Sequence, residues 1–325
     1  MSFVEYLDEF GGLPVVAFAP HPDAPAPQDE AKSAWRIDCY YDDVYGDWDS
    51  DWFSFEEIWE RFLTRADTSQ VTALTIGMWA DYIDAAAYYP VAEIVAASAG
   101  RLPALRSLFL GDIFEGGGGG SDTAYIEHLD LTPILRAYPA LEELWVRGRP
   151  CWDGSPHFEP LQHSALRRLV FESGGLPAAA MRAVGECDFP ALQHLEFYFG
   201  EPNYGGDATP ADVEWLLGGG HFPNLTHLGL RDSVIQDAIA AEAAHAPIVS
   251  RLKTLDLSLG MLGDEGAAAL LAGQPLGHLE KLDLHHHFVS KAMQDRLRTA
   301  WPGVDVDISD ALTDDTGHRY IAVAE

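Results

Sequence analysis

Basic residues are scarce in this chain of 325 residues. Lysine and arginine together number 20, against 51 aspartate and glutamate residues, and the formal net charge is −31. Such a charge is repelled by phosphate backbones and by anionic lipid headgroups, so binding to nucleic acid or to an anionic membrane is disfavoured. A partner with a basic surface would be attracted instead. Many proteins are acidic only because this keeps them soluble, and the composition does not decide between solubility and partner binding.

Cysteines and long apolar runs are also few. Cys39, Cys151 and Cys187 are odd in number, and their spacings match no metal or redox motif, so reduced thiols in a cytosol are expected. No apolar run reaches the roughly 18 to 20 residues that span a bilayer. The first ten residues carry acids and no basic residue, which argues against a secretory signal. These absences predict a cytoplasmic protein.

The sequence lacks the common signatures of catalysis. It contains no G-x-S-x-G elbow, no H-E-x-x-H zinc motif and no phosphate-binding loop with its lysine. Cys187 stands between Glu186 and Asp188, which should raise the pKa of its thiol and make it unreactive. We therefore expect a protein that is not an enzyme and that needs no cofactor.

A repeated L-x-x-L-x-L pattern is the main feature that is present. Its copies begin at Val71, Leu105, Leu141, Leu166, Leu192, Leu225, Leu252, Leu279 and, in degenerate form, Trp301. Most of the steps between copies lie in or near the range of about 20 to 29 residues that is typical of leucine-rich repeats. Within each copy the last two apolar residues alternate with polar ones, as a strand with one buried face requires.

Helix start signals follow several of these strands. Thr209-Pro210, the acidic pair Asp264-Glu265 and Ser290 are suitable N-terminal residues for helices. A strand followed by a helix, repeated along the chain, predicts an α/β leucine-rich-repeat solenoid. In this horseshoe, parallel strands line the concave face and helices cover the convex face, because one copy cannot bury its leucines without its neighbours.

The two ends differ from the repeats. Residues 1–65 contain a strand-like alternation at Trp35–Tyr41 and an amphipathic pattern at Phe53–Leu63, which predict an N-terminal α/β cap. Residues 66–310 form the expected repeat domain. Residues 311–325 form a tail that is apolar enough to dock on the domain, at a place that the sequence does not indicate.

One repeat resembles a known subtype. The stretch from Leu255 to Leu270 is similar to a repeat of the ribonuclease-inhibitor type, with an L-G-D-E-G-A start to its helix. The whole chain also resembles a family of bacterial cytoplasmic leucine-rich-repeat proteins with no agreed activity. The stretches that carry this second resemblance are Leu105–Asp112, Pro202–Asp207, Leu279–His287 and Pro302–Ser309. The resemblance implies a fold and no particular function.

The repeat departs from its subtype at the turn. An Asn or Cys that bonds the turning backbone is usual three residues after the third leucine-type position. Here that position holds Gly200, Ser233, Gly260 and His287. We expect looser turns, or turns whose backbone groups bond to water.

The strand alternation predicts which residues line the concave face. The first column lies between the last two apolar positions of each copy and reads Thr75, Phe109, Trp145, Val170, Glu196, Gly229, Asp256, Asp283 and Asp305. The next exposed column reads Gly77, Gly111, Arg147, Glu172, Tyr198, Arg231, Ser258, His285 and Asp307. Adjacent strands lie about 4.8 Å apart, so consecutive members of a column are neighbours.

This face is predicted to be aromatic toward its N-terminal end and acidic toward its C-terminal end. Stacked like charges repel by roughly 1 kcal/mol per pair in water-like surroundings, and a basic partner would relieve the repulsion. We predict a non-enzymatic protein-interaction scaffold that binds a basic or amphipathic protein surface here. The predicted contact residues are Phe109, Trp145, Arg147, Glu196, Tyr198, Arg231, Asp256, Asp283, His285 and Asp305.

The run His285-His286-His287 leaves an alternative open. His285 is expected near Asp256, Asp283 and Asp307, a set of N and O donors that suits a divalent metal. An accessory subunit that binds a metal or a small ligand near His285 and assists an enzyme is therefore the second hypothesis. His287 falls at the turn position and could bond backbone instead.

Overall fold

The structure is a computed structural model that describes residues 6–39, 53–79, 89–113, 123, 126–150, 158–313 and 318–323. The chain forms two compact units, Phe3–Glu159 and Pro160–Glu325. Both are mixed α/β units in which parallel strand pairs predominate.

The first unit contains the strands β1 to β8. A short antiparallel hairpin joins β1 (Glu9–Phe10) and β2 (Leu13–Ala17). Parallel pairing then runs from β2 to β3 (Ala34–Ile37), β4 (Ala73–Ile76), β5 (Ser107–Leu110) and β7 (Glu143–Arg147). Two short strands, β6 (Glu127–His128) and β8 (Arg149–Pro150), form a separate parallel pair.

Three helices belong to the described part of this unit. They are α1 (Phe55–Arg65), α2 (Val91–Ala97) and α3 (Thr132–Ala137). Ser54 caps α1 in a reciprocal arrangement: its hydroxyl accepts from the Glu57 amide, and the Glu57 carboxylate accepts from the Ser54 amide. The amphipathic pattern in this part of the predicted cap is thus a helix. The strand predicted at Trp35–Tyr41 is observed at Ala34–Ile37, and the last two residues of the prediction, 40 and 41, lie outside the described residues. The strand β3 pairs in parallel with the first repeat strand, β4, and β2 pairs in parallel with β3.

The described residues of the second unit, 160–313 and 318–323, form six parallel strands in chain order. They are β9 (Arg168–Glu172), β10 (His194–Gly200), β11 (His227–Ser233), β12 (Thr254–Asp256), β13 (Lys281–Asp283) and β14 (Asp305–Asp307). Each pairs with the next along the chain. The connections are long enough for a helix, as parallel pairing requires.

The helices of this unit are α4 (Ala178–Gly185), α5 (Glu214–Leu217), α6 (Gln236–Ala243), α7 (Asp264–Ala272) and α8 (Lys291–Ala300). The predicted starts are confirmed at Asp264 and Ser290, while Thr209-Pro210 begins a 3₁₀ turn that leads into α5. The carboxylate of Asp237 accepts from the Gly263 and Gly266 amides, 2.7 and 2.9 Å away, and so satisfies the first turn of α7.

The repeated leucines are in register and form the core. In the second unit Leu169, Leu195, Leu228, Leu255 and Leu282 occupy equivalent positions on neighbouring strands, and all are fully buried. Because side chains alternate along a strand, the residues on either side of these leucines share the opposite face of the sheet. That opposite face carries the candidate binding surface.

The last repeat is shifted from its expected register by two residues. Asp305 pairs with Lys281, and Asp307 pairs with Asp283, so Asp307 and not Asp305 occupies the first column. Ile308 is 6% exposed and fills the apolar position that we assigned to Val306. The degenerate copy lacks leucine. Either Val304 and Val306 or Val306 and Ile308 can occupy the last two apolar positions of the pattern, and the structure has the second arrangement.

The turns are tighter than expected at two of the unusual positions. His287 is fully buried; its Nδ1 accepts from the Val289 amide at 3.0 Å, and its Nε2 lies 3.2 Å from the Ile308 carbonyl. The Ser233 hydroxyl accepts from the Ile235 amide at 3.1 Å. Both side chains therefore bond the turning backbone as an Asn would, and the backbone role that we considered for His287 is confirmed.

No helix within the described ranges has the length and hydropathy needed to cross a bilayer.

Candidate binding surface

Four carboxylates lie in one row across the strands of the second unit. Glu196, Asp256, Asp283 and Asp307 occupy equivalent register positions on β10, β12, β13 and β14, with Gly229 of β11 between the first two. We call these four residues the acidic row. Glu196, Asp256 and Asp283 are each 5–6% exposed, so their charges are largely removed from water. Buried charges of one sign need compensation from nearby groups.

Arg231 supplies that compensation at one end of the row. Its Nη1 lies 2.7 Å from Glu196 Oε2, and its Nε lies 3.1 Å from Asp256 Oδ2, so one guanidinium spans two carboxylates. Its Nε also donates to the Ser258 hydroxyl, and its Cζ lies 4.9 Å from the centre of the Tyr198 ring. The neighbouring carboxylates raise the pKa of Arg231 despite its burial. This cation is therefore fixed in place within the face.

Gly229 makes this bridge possible. A Cβ atom at this position would lie 2.8 Å from Glu196 Cγ and 3.2 Å from Arg231 Cδ, distances at which the side chains must shift. A glycine in a strand interior costs stability, and it marks a place where neighbouring groups approach closely. Here its absent side chain leaves room for the ion pair.

Lys281 plays the same part at the other end of the row. Its ammonium lies 2.7 Å from Asp283 and 3.6 Å from Asp307. His285 Nδ1 is 2.7 Å from the other oxygen of Asp283, whose carboxylate also accepts from the His285 amide. These hydrogen bonds hold the pKa of Asp283 well below its usual range, against the effect of burial. The bond to Asp283 raises the pKa of His285.

We expected the stacked acids to repel one another and a basic partner to relieve the repulsion. Within the chain, Arg231 and Lys281 already relieve much of it. One junction differs. Asp256 and Asp283 are register neighbours, and no described cation makes an ion pair with both. The pKa of Asp256 is raised by burial and also by Asp283. Negative charge is least compensated at this junction.

Two histidines lie beside the row at Glu196. The rings of His194 and His227 stack with centroids 3.6 Å apart and planes 9° apart. Their Nε2 atoms lie 2.5 and 3.3 Å from Glu196 Oε1. Burial lowers the pKa of His194 to about 4, so this ring is neutral at physiological pH and donates one hydrogen bond to the carboxylate. The pKa of Glu196 is held well below its usual range by these bonds, against the effect of burial.

The ligand atoms of His194, Glu196 and His227 lie within 4.8 Å of one another, a spacing that a metal ion could join. The stacked geometry argues against it. A ring nitrogen directs its lone pair in the plane of the ring. Two stacked rings with centroids 3.6 Å apart and planes 9° apart do not direct their lone pairs at one common ion. The arrangement is better described as a hydrogen-bonded ion cluster.

A second group, Asp283, His285 and Asp307, meets the same spacing. Here the ammonium of Lys281 lies against both carboxylates, where a divalent ion would be expected. A metal would have to displace this lysine. The three side chains are therefore suitable metal donors, but the Lys281 ammonium already occupies the place between the two carboxylates.

The equivalent face of the first unit is different. Phe109 is wholly buried, and its ring lies 5.9 Å from that of Phe10 and 5.0 Å from that of Trp145. Phe10 belongs to the β1–β2 hairpin, which covers this side of the strands. A Cβ at Gly11 in the hairpin turn would lie 3.0 Å from both Ala73 and Ser107, so the turn rests directly on the sheet.

Polar contacts hold the segment before the hairpin in place. Arg36 donates to the Leu7 carbonyl at 2.7 Å and to the buried carboxylate of Asp112 at 2.8 Å. The other oxygen of Asp112 accepts from the Leu7 amide. The Tyr6 hydroxyl donates to Asp38 at 2.8 Å. The cover is therefore anchored by charge-assisted hydrogen bonds as well as by apolar packing.

Several predicted contact residues are consequently less accessible than expected. The exposure predicted for Phe109 is wrong because the hairpin covers it, and Trp145 is partly buried. Arg147 is 3% exposed, and its guanidinium donates to the Gly111 and Ile113 carbonyls. Tyr198 is 6% exposed beneath Arg231. Asp305 is exposed and His285 is half-buried.

Some residues of the surface were missed at the sequence level. His194 and His227 precede the second leucine of their copies, and this position points to the same face as Glu196. The matched segments L-Q-H-L and L-T-H-L carried that signal. The hairpin was also missed, although Gly11-Gly12 between apolar residues is a hairpin signature.

The low reactivity expected of the Cys187 thiol is supported. Burial raises the pKa of its thiol, and Glu186 adds to the rise.

These features define a mixed α/β protein with in-register leucines on parallel strands and a charged strand face. The chain is similar to a Bacteroides fragilis protein of known crystal structure, with 26% identity and a TM-score of 0.71, over 82% of this chain and 72% of that one. An internalin from Listeria monocytogenes aligns over 73% of this chain and 54% of its own, with 14% identity and a TM-score of 0.36, too low to support a shared fold. No family model matches the sequence. No curated protein matches it. The ribonuclease-inhibitor subtype remains a prediction.

Proposed function

We propose that the chain is a non-catalytic leucine-rich-repeat scaffold that binds a basic or amphipathic segment of another protein on the strand face of its second unit. The observation that carries the proposal is the charge balance of that face. Six carboxylates share it with three side chains of permanent positive charge. The acids are Glu172, Glu196, Asp256, Asp283, Asp305 and Asp307; the cations are Arg168, Arg231 and Lys281.

The uneven compensation along the face favours a basic ligand. Arg231 serves one end and Lys281 the other, while the junction of Asp256 and Asp283 is left without a shared cation. Asp305 and Asp307 are the more accessible acids at the edge of the face. An arginine or lysine of a partner would meet fixed acceptors there, and the net charge of the chain would speed its approach.

The proposal places the contacts on fewer residues than the sequence suggested. It keeps Glu196, Arg231, Asp256, Asp283, His285 and Asp305 and adds Asp307. It leaves out Phe109, Trp145 and Arg147, which belong to the first unit, and Tyr198, which lies beneath Arg231. A solenoid shape, a cytoplasmic location and the lack of nucleic-acid or membrane binding are part of the same proposal.

The test is the affinity of a labelled basic amphipathic peptide, measured by fluorescence anisotropy at low salt. The double variant Asp305→Lys/Asp307→Lys should weaken binding by about tenfold or more, which corresponds to about 1.4 kcal/mol. Glu242→Lys/Glu265→Lys is the matched control, because it makes the same change in net charge on exposed positions of α6 and α7. Equal weakening by both pairs would reduce the effect to net charge and refute the proposed surface.

A second candidate function is binding of a metal or small ligand near His285 by an accessory subunit that assists an enzyme. The convergence of Asp283, His285 and Asp307 favours it. Untagged protein with Lys281→Ala, incubated with zinc and desalted, should then retain about one equivalent. Retention below a tenth of an equivalent, in the variant and in the wild type, would rule it out.

A further inference from the structure

Residues 318–323 lie in a groove that is separate from the strand face. Ile321 and Val323 are 3% and 8% exposed, so the segment is seated and not merely adjacent. The Ala322 amide donates to the Leu259 carbonyl, and the Val323 amide donates to Asp232 Oδ1, each at 2.9 Å. The groove is thus lined by groups that bond the main chain of this segment.

The groove is a product of the repeat. Asp232, Leu259 and His286 each stand three residues beyond the position of the acidic row on β11, β12 and β13, and each has a positive φ, of 53°, 68° and 54°. Residues other than glycine rarely adopt this backbone conformation. Its repetition at equivalent places aligns three turns along one edge of the second unit.

The bound segment runs across these turns in reverse order. His286 Nε2 lies 3.2 Å from the Tyr320 carbonyl, Leu259 accepts from Ala322, and Asp232 accepts from Val323. This recognition uses main-chain groups, so it does not depend on one particular sequence. Another chain that follows the same path, with the bend at the position of Ala322, could make the same bonds.

Side chains set the specificity that the main chain lacks. Arg319 lies 3.9 Å from Asp237 and 5.5 Å from the centre of the Phe288 ring, and Tyr320 meets the same ring edge-on. The groove therefore accepts a basic side chain, followed at the second and fourth positions after it by aliphatic side chains that become buried.

The segment fills the groove incompletely. Tyr320 is 47% exposed, and the Arg319 guanidinium lies 3.9 Å from Asp237 and 3.5 Å from the Met261 carbonyl. Asp232 is fully buried, yet its Oδ2 takes no hydrogen bond from any described residue. Burial raises the pKa of this carboxyl. A buried polar atom without a partner is costly, and here it leaves bonding capacity for a ligand.

We propose that this groove is a binding site for a short segment of another protein, with the pattern basic-x-aliphatic-x-aliphatic, and that residues 318–323 occupy it in cis as an internal competitor. The site is distinct from the acidic row and does not depend on the function proposed for it. A ligand with this pattern would displace the chain's own segment and take over its main-chain bonds.

The test uses the full chain and a labelled synthetic peptide with the sequence of residues 317–323. Ile321→Asp weakens the internal competitor, and the variant should bind the peptide at least about tenfold more tightly than the wild type, because binding no longer competes with the seated segment. Val16→Asp is the matched control, since Val16 is an aliphatic residue 39% exposed on β2 of the other unit. It should bind like the wild type.

A variant peptide, hydrogen exchange and the oligomeric state provide further tests of this binding site. A peptide in which arginine is replaced by glutamate should lose binding to Ile321→Asp. Hydrogen exchange should show residues 318–323 released in this variant; release without peptide binding would overturn the proposal. Concentration-dependent dimers of the wild type that Ile321→Asp abolishes would also overturn it, by assigning the groove to a second copy. If Ile321→Asp fails to fold, Arg319→Glu serves in the same assay.

Discussion

The strand faces of the two units use the same positions of the repeat in different ways. In the first unit the face carries Phe109 and Trp145, and a hairpin of the chain covers Phe109. In the second unit the same column carries Glu196, Asp256 and Asp283, which are buried among cations and histidines. An apolar column can be covered by packing alone. A charged column needs a partner for every group, supplied by the chain or by another molecule, and so it is the better candidate for binding.

The largest expected effect concerns the covered face. Phe109→Ala should lower the free energy of unfolding by about 3 to 5 kcal/mol, because the ring is fully buried against Phe10 and Trp145. Chemical denaturation measures this loss. A loss below about 1 kcal/mol would mean that the hairpin does not cover the face in solution, and the contrast between the units would fail.

A comparable but smaller effect is expected at the charged face. Arg231→Met should cost about 3 kcal/mol, since it leaves Glu196 and Asp256 buried without their shared cation. Adding Glu196→Gln to this variant should recover part of the loss, and a double-mutant cycle measures the coupling. Additive losses would show that the guanidinium does not bridge these acids.

Gly229→Val tests whether the bridge that Arg231 makes between Glu196 and Asp256 needs a residue without a side chain on the strand between them. The new side chain would press on Glu196 and Arg231, and we expect a loss of about 1 to 3 kcal/mol in the free energy of unfolding. Gly277→Val is the control, because a Cβ there meets no atom within 4 Å. If the two variants lose equal stability in thermal unfolding, the packing around the bridge is not as described.

Two histidines of the charged face have pKa values shifted in opposite directions, and they should therefore affect stability in opposite ways as the pH changes. His194, with a pKa lowered to about 4, disfavours folding as the pH falls from about 6.5 toward 4, because the unfolded chain binds the proton first. His285 has a raised pKa, so its contribution is present below about 6.5 and is lost as the pH rises through its folded value. NMR titration of both rings tests this; Asp283→Asn should lower the pKa of His285 and leave that of His194 unchanged.

Much of the fold could be predicted from the sequence. The leucine spacing identified the repeat strands, and the helix starts at Asp264 and Ser290 followed from local capping chemistry. The frame of the last copy could not be decided, because apolar residues at 304, 306 and 308 satisfy it twice. The burial of Phe109 depends on a segment about a hundred residues away, which repeat periodicity does not reveal.

The candidate site was predictable only in part. Alternation placed Glu196, Asp256 and Asp283 in one row, but the compensation by Arg231 and Lys281 depends on how long side chains reach across strands. Lys281 and the two stacked histidines stand two residues before the row, in a column that precedes the leucine and lies on the same face. Reading both polar columns beside each leucine would have found them.

Carboxyl footprinting by mass spectrometry tests the central claim most directly. Protein is labelled at its aspartates and glutamates with and without the basic amphipathic peptide. The account predicts that labelling falls at Asp305 and Asp307 when the peptide binds, while Glu242 and Glu265 on the helices keep their labelling. Binding that leaves Asp305 and Asp307 as reactive as before, or that lowers labelling at all four residues alike, would contradict it.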